Sequence, residues 1–226
     1  MKRNREIKKA AWAALKGNWS PAVVGAIFLS VITTLFAAPA YCLNMATMDI
    51  QPFSDMNPML LLAFSNSSML LNFFLLYPLG LGYAVAHKDL YVNGDARVTR
   101  NTVMHTFKGY LRNLLTLLLV YVFVVLWSLL FLVPGIIKGY AYAMAPFIIK
   151  DNPELTPNQA INLSMKMMKG HKFQLFCLYL SFLGWVLLSV ITLGVALLWA
   201  MPYMQTAFAA FYQEVRNEYL TRESIK

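Results

Sequence analysis

The sequence predicts an all-α membrane protein, a polytopic helical bundle of six spans in three hairpins. Three observations predict this class: the composition, the recurrence of long apolar stretches and the placement of the charged residues. Hydrophobic residues make up 59% of the 226 residues and charged residues 13%, with a mean hydropathy of +0.55, whereas soluble domains average about 45–50% and about 25%. This composition excludes a disordered chain and, with two cysteines, a disulfide-stapled secreted domain.

The apolar stretches set the number of spans. A helix that crosses the hydrocarbon core, roughly 30 Å thick, needs about 20 mostly apolar residues. Two stretches have the length of one span, and two later stretches have the length of two. In chain order they cover approximately 21–43, 69–86, 112–150 and 173–212.

Turns divide the two longer stretches. Pro134-Gly135 is the predicted turn in the first and Thr192-Leu193-Gly194 in the second, because Pro and Gly favour turns. The fourth span has only about 15 residues before Lys150 and requires tilt or local thinning of the bilayer. The sequence therefore predicts one membrane domain, residues 1–226, with hairpin units at approximately 5–87, 95–150 and 156–213 and a cytoplasmic tail at 214–226.

The basic residues predict the orientation. Eighteen of the 19 Lys and Arg residues lie on one side of the predicted membrane, and Lys138 is the exception. By the positive-inside rule both termini are cytoplasmic. The net charge of +9 is then explained by topology and by attraction to anionic inner-leaflet lipid, and no nucleic-acid partner is expected. The eighteen residues lie before residue 21, in 87–113, in 150–173 and after residue 212.

An internal repeat precedes the hairpins. Leu15-Lys16-Gly17, Phe107-Lys108-Gly109 and Met168-Lys169-Gly170 each end an amphipathic stretch that is followed by a span. We expect the three glycines to end inner-surface helices and the lysines, with Lys172, to contact lipid headgroups. An ordinary capped cytoplasmic helix is the alternative for any single copy. The N-terminus also fits a secretory signal peptide with a cleavage site at Ala38-Pro39-Ala40, although its basic region is long for one.

The third copy of the repeat has the clearest helix signals. Thr156 is a predicted N-cap, Pro157 occupies the first helical position, and Gln159 completes a capping box. One face is polar and the opposite face is apolar. The polar face comprises Asn158, Asn162, Lys166 and Lys169, and the apolar face Ile161, Met165 and Met168.

Prolines and small residues predict how the bundle packs. Pro78, Pro134 and Pro202 lie in or beside the even-numbered spans, where a missing N–H bends or ends a helix. Small residues at every fourth position let helices approach closely. We expect internal packing at these stripes, with a homodimer surface or another membrane protein as the alternative. The stripes are Ala22, Ala26, Ser30, Thr34 and Ala38 in the first span and Gly135, Gly139 and Ala143 in the fourth.

Few residues favour catalysis or ion transport. All ten acidic residues lie outside the predicted spans, apart from Glu214 at the end of the sixth, so a proton-driven pump is not expected. The sequence has no nucleophile elbow, P-loop or H-E-x-x-H motif, and we expect no enzymatic activity, no catalytic residue and no cofactor. The polar residues inside the spans are mild: Asn72, Thr116, Ser128, Ser181, Ser189, Gln205 and Thr206.

Candidate metal ligands are sparse. The histidines lie in predicted inner loops without a paired acid at metal-ligand spacing, and the two cysteines lie near opposite membrane faces. Two M-x-x-M segments, 45–48 and 56–59, have thioethers that suit Cu(I). The alternative is an interfacial loop whose Met side chains enter lipid, and we expect no metal site. The histidines are His87, His105 and His171, and the cysteines Cys42 and Cys177.

Several ordered blocks resemble a known family. They are FLVPGIIKGY at 131–140, KDNPEL at 150–155, SMKMMKGHK at 164–172, LSFLGW at 180–185, and Pro202-Tyr203 with Phe211-Tyr212. The chain resembles the bacterial integral-membrane family called domain of unknown function 975, most densely over 107–213. It is more distantly similar to the membrane domain of some glycerophosphodiester phosphodiesterases, whose catalytic barrel this sequence lacks. The resemblance implies a multi-span protein of the bacterial cytoplasmic membrane without an assigned activity.

The residues leave two functions open. The first is a non-enzymatic membrane protein that organises lipid or partner proteins at the inner leaflet. The alternative is a small transporter or exporter component with a path between the Pro-kinked spans. A continuous polar path lined by Asn72, Gln205 and Thr206 favours transport, and a packed apolar centre favours the first function.

Overall fold

The computed structural model describes residues 2–47 and 72–224, together with Asn57, Met59 and Leu70. Regular structure in these residues is helical throughout, and they contain no strand. The predicted all-α class is therefore confirmed for this part of the chain. Most of the segment between the first two predicted spans, approximately 44–68, lies outside the described residues, including all but Asn57 and Met59 of the second M-x-x-M segment.

Three helices are long, Trp19–Thr47, Tyr110–Leu130 and Leu197–Ser224, and the other predicted spans consist of shorter helices. A π-helical turn at Asn72–Leu76 leads directly into α3. In chain order the helices are α1 (Asn4–Leu15), α2 (Trp19–Thr47), α3 (Tyr77–Asn93), α4 (Val98–Phe107), α5 (Tyr110–Leu130), α6 (Leu132–Tyr142), α7 (Ala145–Asp151), α8 (Pro157–Met167), α9 (Lys172–Leu180), α10 (Leu183–Ile191) and α11 (Leu197–Ser224).

Three segments are long and apolar enough to cross a membrane. They are Trp19–Phe36, Tyr110–Leu130 and Lys172–Ile191. Each corresponds to the first span of one predicted hairpin. The returning segments α3, α6–α7 and α11 do not meet the same criteria of length and composition in the described part of the chain. The described residues thus contain three candidate spans, where the sequence analysis predicted six.

Helices α3, α7 and α11 form much of the interior of the described structure. Only 17–22% of each candidate span is buried within the bundle. In contrast, α3 buries Leu81, Tyr83 and Leu90, and α11 buries Ala207 and Phe211. This division follows from composition, because the less apolar helices gain most from packing against protein, whereas the most apolar helices lose least by facing lipid.

The turn predicted for the second hairpin lies earlier in the chain than expected. The chain reverses at Phe131, whose backbone is extended at φ −158° and ψ 141°, and Pro134 lies inside the first turn of α6. The prediction of a turn at Pro134-Gly135 was therefore wrong, because a proline in the first helical turn lacks only an N–H that has no helical partner. A Cβ on Gly135 would overlap Ser128 Oγ and lie 2.8 Å from Ser128 Cα, so Gly135 permits the close approach of α5 and α6.

The chain turns after α10, where the sequence predicted the turn of the third hairpin. Helix α10 ends at Ile191, and Leu193 and Gly194 have positive φ values of 51° and 92°. The Gly194 N–H donates to the Ser189 carbonyl at 2.7 Å, which satisfies an acceptor in the last turn of α10. The predicted turn at Thr192-Leu193-Gly194 is confirmed.

Two predicted elements are divided or extended. The predicted fourth span is divided into α6 and α7 at Ala143 and Met144. Pro146 lies in the first turn of α7. The predicted tail from residue 214 is not a separate segment, because α11 continues to Ser224 and keeps Val215 buried. Pro202 lies inside this helix, and Pro78 lies at the N-terminus of α3, just after the π-helical turn.

The three segments of the predicted repeat form helices α1, α4 and α8. Helix α8 has the predicted capping box: Thr156 N–H donates to Gln159 Oε1 at 2.8 Å, and Gln159 N–H donates to Thr156 Oγ1 at 3.4 Å. Helix α1 buries Ile7, Ala11 and Leu15, at the spacing of one helical face. The three glycines that follow α1, α4 and α8 are left-handed, with φ +89° at Gly17, +67° at Gly109 and +90° at Gly170.

Close contact of α3 and α4 depends on Gly82. A Cβ there would overlap the Thr102 carbonyl oxygen and Thr106 Oγ1 and lie 3.0 Å from the Thr106 nitrogen. Two of these three atoms belong to the backbone and cannot rotate away. Ala22 and Ala26 of the first small-residue stripe are fully buried and also pack internally.

We expect Gly82→Ala to lower stability by about 1–3 kcal/mol, because the added methyl group overpacks the α3–α4 contact. Thermal unfolding of the detergent-solubilised protein, followed by tryptophan fluorescence, measures the change. Gly80→Ala is the matched control, since a Cβ at Gly80 meets nothing within 4 Å. An equal loss of stability in both variants would show that the contact does not constrain the fold.

Candidate functional site

The predicted inner segments meet at one end of the bundle. Lys2 donates to Glu214 at 2.7 Å, and His171 lies 3.5 Å from Glu218. Lys88 pairs with Asp151, and the Lys150 ammonium donates to the His105 carbonyl. Side chains from all four basic segments of the sequence are therefore joined to one another, although these segments are far apart in the chain.

Asp151 is the centre of this arrangement. Its side chain is only 7% exposed and forms an ion pair with Lys88 of α3. Its Oδ2 accepts a hydrogen bond from Tyr212 at 2.8 Å and lies 3.4 Å from Arg216, both on α11. A buried carboxylate requires such partners, because desolvation of an unpaired charge is costly. The three returning helices α3, α7 and α11 are thus connected through one carboxylate.

A basic pocket of about 440 Å³ lies beside this carboxylate. It is formed where α3, the end of α4, the start of α5 and the end of α7 come together. Two residues that line the pocket form ion pairs, Lys88 with Asp151 and His105 with Asp89 at 2.6 Å. In the described part of the chain, Lys108, Arg112 and Lys150 form none. The lining residues are Val85, Lys88, His105, Lys108, Gly109, Arg112, Lys150 and Pro153.

Backbone carbonyls hold the cations in place. The Lys150 ammonium donates to the carbonyls of His105 and Lys108, the latter at 2.9 Å, and so binds the C-terminal end of α4, where the helix dipole favours a cation. Arg112 donates through one terminal nitrogen to the Pro153 carbonyl. Its Nε is buried and has no acceptor among the described residues. The pocket thus presents donors that an anion can accept from.

The electrostatics of the pocket favour an anion. Lys150 lies outside the candidate spans, and burial, together with the nearby charges of Arg112, Lys108 and Lys88, lowers its pKa to about 8. An anion in the pocket would relieve this repulsion and favour the protonated ammonium. Three cations without a carboxylate partner in the described residues, gathered around one cavity, are the arrangement expected of a site for a phosphate or carboxylate group.

The four lysines predicted to contact lipid headgroups lie in different environments. Of the four predicted headgroup contacts, Lys108 lines the basic pocket. Lys16 and Lys169 are exposed at the ends of α1 and α8, and Lys172 is half-buried at the start of α9. Sequence reasoning missed the pocket residues Lys88, Arg112 and Lys150, which come from separate segments. Their only sequence signal is membership in the predicted inner segments.

The histidines occupy environments that the sequence analysis did not predict. His87 is not in a loop but fully buried in α3, because that helix extends to Asn93; its Nδ1 donates to the Tyr83 carbonyl at 3.0 Å, and burial lowers its pKa to about 4. His105 and His171 do have acidic partners, although these are distant in sequence. The described residues contain no group of three or more His, Cys, Asp or Glu side chains that is able to hold a metal ion.

The N-terminal helix lies alongside the third candidate span. Asn4 donates to the Gln174 carbonyl at 2.9 Å, and the Lys8 ammonium donates to the Ser181 carbonyl at 3.1 Å, at the break between α9 and α10. At the second hairpin, Lys138 is the basic residue outside the inner segments, and its ammonium lies 4.5 Å from the Trp127 ring centroid. A cation–π contact therefore accommodates this charge within the hairpin.

A larger, mainly apolar cavity of about 970 Å³ lies between α3, α5, α7, α9 and α11. Gln205 lines it, among side chains such as Tyr77, Phe147 and Phe208. Thr206 is buried and donates instead to the Pro202 carbonyl at 2.8 Å. The side chain of Asn72 is outside the described part of the structure. Within that part, Gln205 and Thr206 do not form a continuous polar path.

The comparisons with known proteins identify a family match but no characterised relative. The family described as "Protein of unknown function (DUF975)" matches residues 129–219, which are 91 of the 226 residues. The predicted resemblance to this family is confirmed over that range. No curated protein and no solved structure matches the chain. The distant similarity to the membrane domain of glycerophosphodiester phosphodiesterases stays a prediction.

We expect Asp151→Asn to destabilise the protein by about 3–5 kcal/mol, because Lys88 loses its carboxylate partner in a largely buried environment. Thermal unfolding in detergent measures the loss. Glu6→Gln is the control, since it removes a carboxylate from the more exposed pair with Arg3, and we expect a much smaller change there. Equal unfolding temperatures for Asp151→Asn and the unmodified protein would exclude the proposed central role of Asp151.

Proposed function

We propose that this chain is a six-span protein of the bacterial cytoplasmic membrane that binds anionic lipid at the inner leaflet. In this function it organises lipid, or partner proteins through lipid, and catalyses no reaction. Both termini are cytoplasmic, and the three candidate spans alternate with the returning segments of α3, α6–α7 and α11. The observation that carries the proposal is the basic pocket formed by Lys108, Arg112 and Lys150 at the start of a candidate span.

The position of the pocket supports lipid as the ligand. Gly109 directly precedes α5 and Arg112 lies in its first turn, and the candidate span begins at Tyr110. Cationic side chains at the end of a span lie in the headgroup region, where anionic lipid attracts them by about 1 kcal/mol per Lys or Arg. This position at the start of a candidate span supports a lipid phosphate as the ligand.

The surface of α4 also supports this location. The helix buries Thr102 and Thr106 against α3, while Val103, Met104 and Phe107 are exposed by 38%, 52% and 59%. Three neighbouring apolar side chains on a surface are unfavourable in water but favourable in an interfacial membrane layer. Lys108 follows directly, so this surface combines apolar insertion with a cation for a headgroup.

We expect the detergent-solubilised protein to bind phosphatidylglycerol in preference to phosphatidylcholine, as measured by native mass spectrometry with equimolar lipids. The double variant Lys108→Gln and Arg112→Gln should reduce this preference by about fivefold for each charge removed, since each contributes about 1 kcal/mol. Arg3→Gln with Arg222→Gln is the matched control, because it removes the same charge from residues outside the pocket.

We also expect the preference for phosphatidylglycerol to depend on pH. Between about pH 7 and pH 9 the preference for phosphatidylglycerol should fall, because Lys150 loses its proton as the pH passes its pKa of about 8. Lys150→Arg keeps the charge over this range and should abolish the pH effect. Equal binding of both lipids at all pH values would refute the proposed function.

The six-span topology predicts the side on which exposed residues are labelled. In a variant with Cys42→Ala and Cys177→Ala, a membrane-impermeant maleimide should label Met59→Cys from outside intact cells. Asn93→Cys and Thr221→Cys should react only after permeabilisation. If only the three candidate spans cross the membrane, the termini lie on opposite sides and Thr221→Cys is labelled from outside when Arg3→Cys is protected, which would contradict the proposal.

A further inference from the structure

We propose that the basic pocket and the apolar cavity form one binding site for a single anionic glycerophospholipid, with the phosphate in the pocket and an acyl chain in the cavity. This inference rests on the proposed function, because it names the ligand of the same site. It differs from a general attraction to the inner leaflet, since a general attraction needs no cavity inside the bundle.

Three helices, α3, α5 and α7, line both cavities, and on α3 and α7 the apolar-cavity residues precede the basic-pocket residues. On α3, Ala84 lines the apolar cavity and Lys88 the basic pocket. On α7, Phe147 lines the apolar cavity and Lys150 lines the basic pocket. Residues three or four apart lie on one face of a helix. The two cavities are therefore consecutive along the same faces of α3 and α7, about one helical turn apart.

The distance between the cavities fits a phospholipid. Helix α5 contributes Arg112 to the basic pocket and Leu117 to the apolar cavity, which places the two levels about 7.5 Å apart along the helix. The headgroup layer of one leaflet is about 5–7 Å thick, as the difference between the full bilayer and its hydrocarbon core indicates. A phosphate near Arg112 thus places the start of an acyl chain at the level of Leu117.

Each part of the site has the chemistry of one part of the lipid. The guanidinium of Arg112 uses one terminal nitrogen for Pro153, and its Nε has no acceptor in the described residues, so a phosphate oxygen can accept from it. The cavity of about 970 Å³ has the size of ligand-binding cavities in general and is lined mainly by aliphatic and aromatic side chains. Among the lining residues, Gln205 carries an amide and none carries a charge.

Gly80 allows a direct test of the acyl-chain part. It lines the apolar cavity, and a Cβ there meets nothing within 4 Å, so Gly80→Leu places its side chain in the cavity. Gly184→Leu is the matched control, because Gly184 also has nothing within 4 Å and does not line the cavity. Titration of each detergent-solubilised variant with phosphatidylglycerol, followed by native mass spectrometry, gives the affinities.

We expect Gly80→Leu to weaken phosphatidylglycerol binding by at least about tenfold, equivalent to about 1.4 kcal/mol, and Gly184→Leu to leave it unchanged. Deacylated glycerophosphoglycerol and inorganic phosphate should compete with the lipid only at much higher concentrations. Unchanged affinity in Gly80→Leu, or competition by either soluble phosphate at the concentration of the lipid, would overturn the inference and leave a phosphate pocket alone. Absence of any preference for phosphatidylglycerol over phosphatidylcholine in the unmodified protein would instead refute the proposed function.

Discussion

The structure depends on one buried carboxylate. Asp151 pairs with Lys88 and accepts a hydrogen bond from Tyr212, and Arg216 lies within 3.4 Å. A shift of α3, α7 or α11 along its axis by one turn would separate these groups and leave a charge without a partner in a desolvated position. The pairing therefore fixes the relative heights of the three returning helices. The apolar candidate spans pack around them with mostly non-directional contacts, which tolerate such shifts more readily.

The same constraint positions the basic pocket. Lys150 and Asp151 are consecutive residues at the end of α7, so the carboxylate that joins the helices also places a cation toward α4 and α5. Asp151 neutralises Lys88, while Lys108, Arg112 and Lys150 have no carboxylate in the described part of the chain. Structural pairing and ligand binding are thus divided between neighbouring groups. An anion can enter the pocket without competing for the ion pair on which the fold depends.

Local signals in the sequence predicted local structure well. Thr156 and Gln159 form the expected capping box, and the third hairpin turns at Leu193 and Gly194, because caps and left-handed turns depend on a few adjacent residues. The predicted turn at Pro134-Gly135 was wrong, because the local signal at a proline is ambiguous. Proline is compatible with both a turn and the first turn of a helix, and only the packing of Gly135 against Ser128 decides between them.

The sequence by itself determined the all-α class of the described residues and predicted that the basic residues lie on one side of the membrane. Both follow from the composition of individual segments, because long apolar segments favour lipid and Lys and Arg favour the inner side of a membrane. Only the tertiary structure decided which charges meet. Lys88 and Asp151 are 63 residues apart, and Arg112 and Pro153 are 41 apart. No local pattern encodes such contacts, because they arise from the way the helices cross. The site is therefore a property of the packed bundle, built from residues that the sequence marks only as basic.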